Sequence, residues 1–360
     1  MNKIGVGIIG SGFISEIHVQ SLRQVPEAEV VAVASLPKEQ VRSFAERNGI
    51  GTWTVDYHEL LSCKQVDLVI LGVPNYLHAQ ITIDAAKEKK HVICEKPLCM
   101  NLEEADLMIR TCKEEDVKLM YAEELCFAPK YVRLKQLIEE GALGKVYLIK
   151  QSEKHFGPHS DWFWDVEKSG GGVALDMGCH AFLFFRWLFG KAEARSIYAQ
   201  MGTYVHKKLT KGEDNSIVIV EFGDGQIGLA EDSWAKRGGM DDRAEVYGSE
   251  GVAYANLLMG NSILTYSQKG YGYAVEKAPA TKGWSFAIYE ESWNYGFPQE
   301  IQHFVRCVRE DEEPLVTGED GRAALEMIFA AYESAGKGRK IELPFRSKAK
   351  KPIDLYLDNR

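Results

Sequence analysis

Residues 4–15 read IGVGIIGSGFIS, a β-branched run that passes glycines at 7, 10 and 12 and then enters a helix-forming stretch. A strand that ends in G-x-G and opens a helix makes a phosphate-binding turn. Gly10 permits the tight bend, and Gly12 lets a pyrophosphate approach the backbone at the positive helix end. Ser15 stands where a third small residue allows close helix–strand packing. The same glycines also suit a plain turn. Here strand, turn, helix and second strand arrive in order, and that order carries the dinucleotide reading. Gly10, Gly12, Phe13 and Ile14 are the candidate cofactor residues of this turn.

Working outward, further strand-like runs occupy 29–35, 67–74, 91–97 and 117–124, with helix patterns at 13–25, 37–48, 76–90 and 101–116 between them. Nearly continuous apolar strands alternating with helices predict an α/β fold with a doubly wound parallel sheet, buried on both faces. Pro37 fits a first helical position, and Asn101 followed by Glu104 fits a capping box. A chain of 360 residues suggests two domains. A dinucleotide-binding domain is expected over 1–124, a second α/β domain over 125–345, and a solvated tail over 346–360 with Arg346, Lys348, Lys350 and Lys351.

The second part changes period. A helix pattern at 129–141 precedes the strand KVYLIKQSEKHF (145–156), and a helix expected over 174–189 carries the apolar stripe Leu175, Leu183, Phe184, Trp187 and Leu188. SIVIVEFGDGQIGLAED (216–232) reads as a hairpin turning at Asp224-Gly225, and RAEVYGSEGVAYAN (243–256) as another turning at Gly248 to Gly251. Successive hairpins predict a large open, mainly antiparallel sheet, partly covered by helices at 298–311 and 319–336. Stretch 268–297, rich in Gly, Tyr and Trp without a period, is expected to be a long loop.

Composition removes several classes of function. A net charge of -9 argues against a nucleic-acid surface, which needs a basic excess. No apolar run approaches the roughly 18 residues of a membrane span, and the short run after Met1-Asn2-Lys3 does not resemble a leader. Seven cysteines without C-x-x-C spacing suit free thiols in a reducing compartment, so a cytoplasmic protein is expected.

Chemistry-bearing residues gather at strand ends. The acid expected after the second strand to hold an adenosine ribose is replaced by Ser35, with Lys38 nearby, which tolerates a 2′-phosphate and leaves NAD(H) and NADP(H) both open. In GVPNYLHAQ (72–80), Pro74 and Asn75 end a strand, Asn75 serving as helix cap or cofactor contact, and His78 faces either cofactor or solvent. HVICEKP (91–97) ends a strand with Glu95, Lys96 and Pro97, beside the nicotinamide end of a bound dinucleotide. Burial there would depress the Lys96 pKa toward a range useful for proton transfer. Asp176 and His180 lie four apart after Gly170-Gly171-Gly172, where the backbone can approach a ligand. On one helix the pair would share a face, the carboxylate orienting the imidazole.

GIIGSGFIS, GVPNYLH, HVICEKPLCMNLEEA, YAEELCFAP and GGGVALDMGCHAFLFFRWLFG together resemble the Gfo/Idh/MocA oxidoreductases, in the right order over nearly the whole chain. The resemblance implies a Rossmann domain, then an α/β domain whose open sheet forms homo-oligomers. It also implies hydride transfer between nicotinamide C4 and a secondary hydroxyl carbon of a sugar, glycoside or cyclitol. Lys96 would polarise the reacting oxygen, His180 would act as general base in oxidation, and Asp176 would orient both. Glu123, at the end of the sixth strand, would face cofactor or substrate. Where many relatives carry Trp-Arg before the glycine triplet, this chain has Trp162-Phe163-Trp164-Asp165. His155, His159, Trp162 and Trp164 therefore crowd a loop that either stacks on a sugar ring or anchors itself in the core.

Three rivals share these residues. A metal site from His155, His159, Asp176, His180 and Glu123 is opposed by the Gly157-Pro158 break and a neighbouring lysine, so no metal is expected. A redox-neutral enzyme with a retained, transiently used NAD(H), of the oxidation–elimination glycosidase type, would need the same Lys96, Asp176 and His180. A non-catalytic dinucleotide sensor would not need them.

Overall fold

The computed structural model describes residues 3–258, 263–270, 272, 276–278, 281–287 and 290–358. The chain divides into two units, Met1–Glu124 with Phe297–Leu325, and Leu125–Gly296 with Glu326–Arg360. The first contains β1 (Ile4–Ile9), α1 (Phe13–Leu22), β2 (Ala28–Ala34), α2 (Lys38–Asn48), β3 (Thr52–Thr54), α3 (Tyr57–Leu61), β4 (Leu68–Leu71), α4 (His78–Lys87), β5 (His91–Cys94), α5 (Leu102–Glu114) and β6 (Leu119–Tyr121). Its six strands run parallel in the order β3-β2-β1-β4-β5-β6, and the order reverses between β1 and β4. Val6, Ile8, Val33, Leu68 to Leu71, Val92 and Ile93 are fully or almost fully buried, as a sheet covered on both faces requires.

The turn after β1 depends on glycine. Gly10 has φ +118°, and a Cβ there would lie 2.1 Å from the carbonyl oxygen of Gly72. A Cβ on Gly72 would in turn lie 2.6 Å from Ser15 Oγ, so Ser15 does permit close helix–strand packing. Asn101 caps α5, accepting from Glu104 N at 2.9 Å, whereas Pro37 is the N-cap of α2 rather than its first residue. β3 and α3 were not expected: three residues of strand and five of helix are too short for a period to emerge from sequence.

The second unit contains α6 (Pro129–Glu139), β7 (Val146–Lys154), α7 (Val166–Ser169), α8 (Val173–Asp176), α9 (Gly178–Leu188), β8 (Ala194–Gly202), β9 (Asn215–Phe222), β10 (Ile227–Ser233), β11 (Asp241–Gly248), β12 (Val252–Asn256), β13 (Ile263–Ser267), β14 (Gly283–Ala287) and α10 (Glu291–Tyr295). α11 (Phe297–Glu310) follows in the first unit. α12 (Gly318–Lys337) runs from one unit into the other, and β15 (Ile341–Glu342) and α13 (Pro352–Leu357) end the second. The large sheet has the order β12-β11-β7-β10-β9-β8-β15. Both hairpins form as expected, Phe222 N bonding to Gln226 O at 2.8 Å and Gly248 N to Gly251 O at 2.8 Å. The exception to antiparallel pairing is β7 with β10, which are parallel at the centre of the sheet.

Four expectations are corrected. The helix foreseen over 174–189 is broken at Met177, so Asp176 ends α8 and His180 lies in the first turn of α9. α11, expected to help cover the large sheet, belongs to the first unit and packs on α1, where the rings of Phe297 and His18 meet edge to face at 6.3 Å. Of the long loop expected over 268–297, residues 283–287 form β14, paired with β13, and 291–295 form α10, while 271, 273–275, 279–280 and 288–289 lie outside the described residues. The basic tail holds α13: Ile353 and Tyr356 are buried, Ile353 N bonds to Gly170 O at 3.1 Å, and Lys351 pairs with Glu167.

Gly10→Ala is expected to destabilise the first unit by about 3 kcal/mol or more, because a positive φ and a backbone clash act together. Urea unfolding followed by circular dichroism checks this; an unchanged midpoint would refute the packing argument.

Candidate functional site

In the first unit the carboxyl ends of β1, β4, β5 and β6 gather the expected residues. Gly12, the N-cap of α1, has nothing within 4 Å of a notional Cβ, and Phe13 beside it is exposed. Ile14 is half-buried. The backbone there is open to an incoming anion on a ten-residue helix whose positive end faces it. At the end of β2, Ser11 Oγ donates to Ser35 Oγ at 2.9 Å, Lys38 is exposed, and Ser35 rather than a carboxylate directly follows the strand. These features fit a nicotinamide dinucleotide. Pro74 is half-buried and Asn75 buried, in a short 3-10 turn just before α4.

His78 faces neither solvent nor an open cleft. It is fully buried, its Nδ1 2.9 Å from Pro97 O and its Nε2 2.9 Å from Val73 O, and burial pushes its imidazole below the usual range. A neutral imidazole carries one N–H, so His78 donates to one of these carbonyls and packs against the other, between the end of β4 and the Glu95–Pro97 turn, a buried placement that differs from the expected contact with cofactor or solvent. Glu95 is likewise buried, its Oε1 2.7 Å from His18 Nε2 and its Oε2 accepting from Lys96 N at 3.1 Å. Burial pushes the Glu95 carboxyl up, but His18 and Lys96 outweigh it and hold the group below its ordinary value. Lys96 is half-buried and Glu123 fully buried. Sequence reasoning missed Glu300 on α11. It is fully buried, and burial first, then Glu124, Glu95 and Glu123, push its carboxyl well above the usual range.

In the second unit Asp176 and His180 are 3% and 2% exposed, which excludes a pair on a solvated face. Trp234 Nε1 donates to Asp176 Oδ2 at 3.1 Å, and His180 N donates to Met177 O at 3.0 Å. The glycine triplet does not meet a ligand at its last two positions. A Cβ on Gly171 would lie 2.3 Å from Tyr332 Oη, and one on Gly172 2.1 Å from Glu213 O. Glu213 binds this segment, its carbonyl accepting from Val173 N at 3.0 Å and its Oε1 from Ala174 N at 2.9 Å and Tyr332 Oη at 2.6 Å. Burial pushes the Glu213 carboxyl up to about 7 against those hydrogen bonds.

The aromatic loop divides. Phe163 and Trp164 pack on the buried cluster Val173, Met177 and Trp234, and Trp164 also meets His206 at 4.9 Å, so Trp164 is an anchor in the core. Trp162 stacks on Phe163 at 3.8 Å and remains half-buried. His155 is 1% exposed, its ring 4.9 Å from that of His159, and burial pushes its imidazole well below the usual range. His159 pairs with Glu276. Lys277 donates to Gly157 O at 3.1 Å and Pro158 O at 2.8 Å.

Residues 4–123 match the family model described as "Oxidoreductase family, NAD-binding Rossmann fold", and residues 135–343 match "Oxidoreductase family, C-terminal alpha/beta domain". The chain belongs to the Gfo/Idh/MocA oxidoreductase family. It is similar to myo-inositol 2-dehydrogenase of Thermotoga maritima, 29% identical over 341 residues that cover 94% of this chain and 98% of that protein. GenD2 from gentamicin A biosynthesis, solved in complex with NAD, superposes with a TM-score of 0.91 at 29% identity, covering 96% of this chain and 97% of that one. Levoglucosan dehydrogenase, solved with NADH and levoglucosan, shares the fold: TM-score 0.81, 23% identity, 96% and 100% covered. This Gfo/Idh/MocA protein is an NAD(P)-dependent oxidoreductase.

Trp234, Glu213, Asp232, Glu276 and Lys277 escaped sequence reasoning. Asp232 had a signal in the alternation of β10; Glu213 and Trp234 lie just outside β9 and β10, and Glu276 and Lys277 lie where no period exists. The raised Glu213 carboxyl gives a testable pH dependence. Its folded value of about 7 against an ordinary 4.5 means the fold binds the extra proton between those values. Stability from this group is full below 4.5 and is lost as pH rises through 7, by up to ~3 kcal/mol. Asp232 and Glu300, also raised, add to the same decline. Denaturant unfolding at pH 5 and pH 8 should therefore show Glu213→Gln with a smaller loss than the parent; an equal loss would rule Glu213 out as a source.

Proposed function

We propose that this protein oxidises a secondary hydroxyl of a sugar, glycoside or cyclitol, or reduces the matching ketone, with NAD(H) or NADP(H). The observation that carries the reading is the buried Asp176–Trp234 hydrogen bond at the α8–α9 break, one turn before the buried His180. An indole N–H can only donate, so it fixes Asp176 as an acceptor at Oδ2. The inositol dehydrogenase name of a relative covered over nearly its whole length supports the substrate class.

The dinucleotide, when bound, supplies the hydride acceptor or donor. Gly10, Gly12, Phe13 and Ile14 are assigned to its pyrophosphate, Ser35 and Lys38 to the adenosine ribose, and Pro74, Asn75 and Glu123 to the nicotinamide half, with Glu95 positioning Lys96 beside it. Since β2 ends without a carboxylate, either coenzyme is admissible. Lys96 holds and polarises the reacting oxygen, His180 receives the hydroxyl proton at its imidazole, and Asp176 orients it and stabilises the imidazolium. His155, His159 and Trp162 contribute to the substrate side. The large sheet's outer face, with Tyr198, Ile217, Ile219 and Ile227 at least 40% exposed, is assigned to contact with a second copy. Seven free thiols suit a cytoplasmic setting, and among the described residues no helix is long and apolar enough to cross a membrane.

Lys96→Ala is expected to lower kcat with a cyclitol or sugar substrate by about 100-fold or more, while nucleotide binding, followed by quenching of intrinsic fluorescence, stays within about threefold. Unchanged turnover would overturn the assignment and favour a non-catalytic dinucleotide sensor.

A further inference from the structure

His18 lies within α1, the helix that opens at the Gly12 turn, and none of it is exposed. Its Nε2 is 2.7 Å from Glu95 Oε1, and Glu95 is itself buried. The other oxygen of that carboxyl, Oε2, accepts from Lys96 N at 3.1 Å. A continuous line of contacts therefore runs from the phosphate-binding helix to the main chain of the residue assigned to the reacting oxygen. Every link in it belongs to the first unit.

The protons of the His18–Glu95 couple follow from the acceptors around it. His18 Nδ1 has no hydrogen-bond partner among the described residues, and the Phe297 ring meets the imidazole edge to face at 6.3 Å. A proton on Nδ1 would bury an N–H with no acceptor, which folded proteins avoid more strictly than a bare lone pair. The imidazole is therefore neutral, with its one proton on Nε2 and donated to Glu95 Oε1. Glu95 then accepts at both oxygens, as a carboxylate does. Burial alone would raise this carboxyl, but His18 and then Lys96 outweigh it and hold the group below its ordinary value. A neutral imidazole beside a carboxylate leaves one net negative charge, and the Lys96 ammonium adjoins it. Since the attraction is mutual, the Glu95 carboxylate favours the charged form of Lys96.

Four other elements bring titratable groups to this turn. His78 on α4 is pushed below the usual range, Cys94 at the end of β5 is pushed up, and Glu300 on α11 is pushed well above its usual range, in each case by burial first. All three are thereby neutral at pH 7 and lend Lys96 no charge. Glu123 and Glu124 follow β6; neither pairs with His18, whose hydrogen-bond partner among the described residues is Glu95. Removing the His18 donor thus changes one charge in this group, that of Glu95.

Resting on the reading that Lys96 holds the reacting oxygen, we infer that His18 is a positioning residue for it. By donating to Glu95 it keeps a carboxylate against residue 96, and so keeps the Lys96 side chain an ammonium that polarises the oxygen and does not take its proton. The hydroxyl proton then passes to the His180 imidazole while the hydride passes to the nicotinamide. The test titrates the Lys96 amine directly, by competitive labelling with acetic anhydride from neutral to alkaline pH, the labelled peptide being quantified by mass spectrometry. The parent is compared with His18→Phe, which keeps a ring and removes the donor, His18→Gln, which keeps a donor, and Glu95→Gln, which removes the charge. His18→Phe and Glu95→Gln should each lower the labelling midpoint of Lys96 by about one pH unit, whereas His18→Gln should stay within about 0.3 unit of the parent. A midpoint unmoved in His18→Phe, or moved as far in His18→Gln, overturns the inference, because a merely structural His18 changes stability and not the charge of Lys96. A second measurement needs no variant to fold: nitrogen-15 spectra of labelled histidine in the parent should show the His18 ring protonated at Nε2 and bare at Nδ1, and a proton on Nδ1 also overturns it. A shifted midpoint in a protein that turns over no polyol upholds the link and sinks the reading of Lys96. An unshifted midpoint, with turnover abolished by Lys96→Ala, does the reverse.

Discussion

The start of α8 has one fixed point, the residue Glu213. Its main-chain carbonyl and its side chain between them accept from the first two N–H groups of a four-residue helix, which has no length to stabilise itself. Tyr332 closes the clamp by donating to the Glu213 carboxyl while Gly172 N donates to the Tyr332 hydroxyl oxygen. Only glycine fits at 171 and 172, because the space beyond each Cα is filled by Tyr332 and by the Glu213 backbone. The position of Asp176, four residues on, follows from this packing. At its last two positions the triplet that looks like an opening for a ligand is instead a close contact of the chain with itself.

An equivalent strap operates in the first unit. His78 and Glu95 look from sequence like groups offered to a ligand, yet each is turned inward: His78 toward the carbonyls of Val73 and Pro97, Glu95 toward His18. Between them they fix both sides of Lys96, whose own N–H is held by Glu95. A reactive amine on a strand end needs this restraint, since a long flexible side chain otherwise spreads over many rotamers. The cost appears at Glu300, a carboxyl buried near three others.

Legibility followed the length of each repeating pattern. The parallel sheet was readable because β1, β2, β4 and β5 are apolar runs separated by full helices, and Gly10 and Gly12 mark where one becomes the other. β3 and α3 were too short. The break at Met177 was invisible since Leu175, Leu183, Phe184 and Leu188 keep helical spacing across it, and ten of the eleven α9 residues are buried, so no polar face marks the discontinuity. In the site, Lys96, Asp176 and His180 stood out as motif residues. Their supports did not: Glu213 reaches α8 from a loop 39 residues away, and Trp234 reaches Asp176 from 58. Contacts of that separation leave no mark on a local pattern.

The aromatic loop shows how far residue type underdetermines role. Trp162, Phe163 and Trp164 are consecutive, and any of them could stack on a sugar face. The backbone turn sends Phe163 and Trp164 against Trp234, the same ring whose N–H engages Asp176. These two aromatics are therefore part of the support for the carboxylate: shrinking either would loosen Trp234 before it changed any contact with a ligand. Trp162, stacked on the outer side of Phe163, keeps one face available. Of the two tryptophans that could have formed a binding wall, Trp164 is structural and Trp162 is a half-buried ring carried on Phe163.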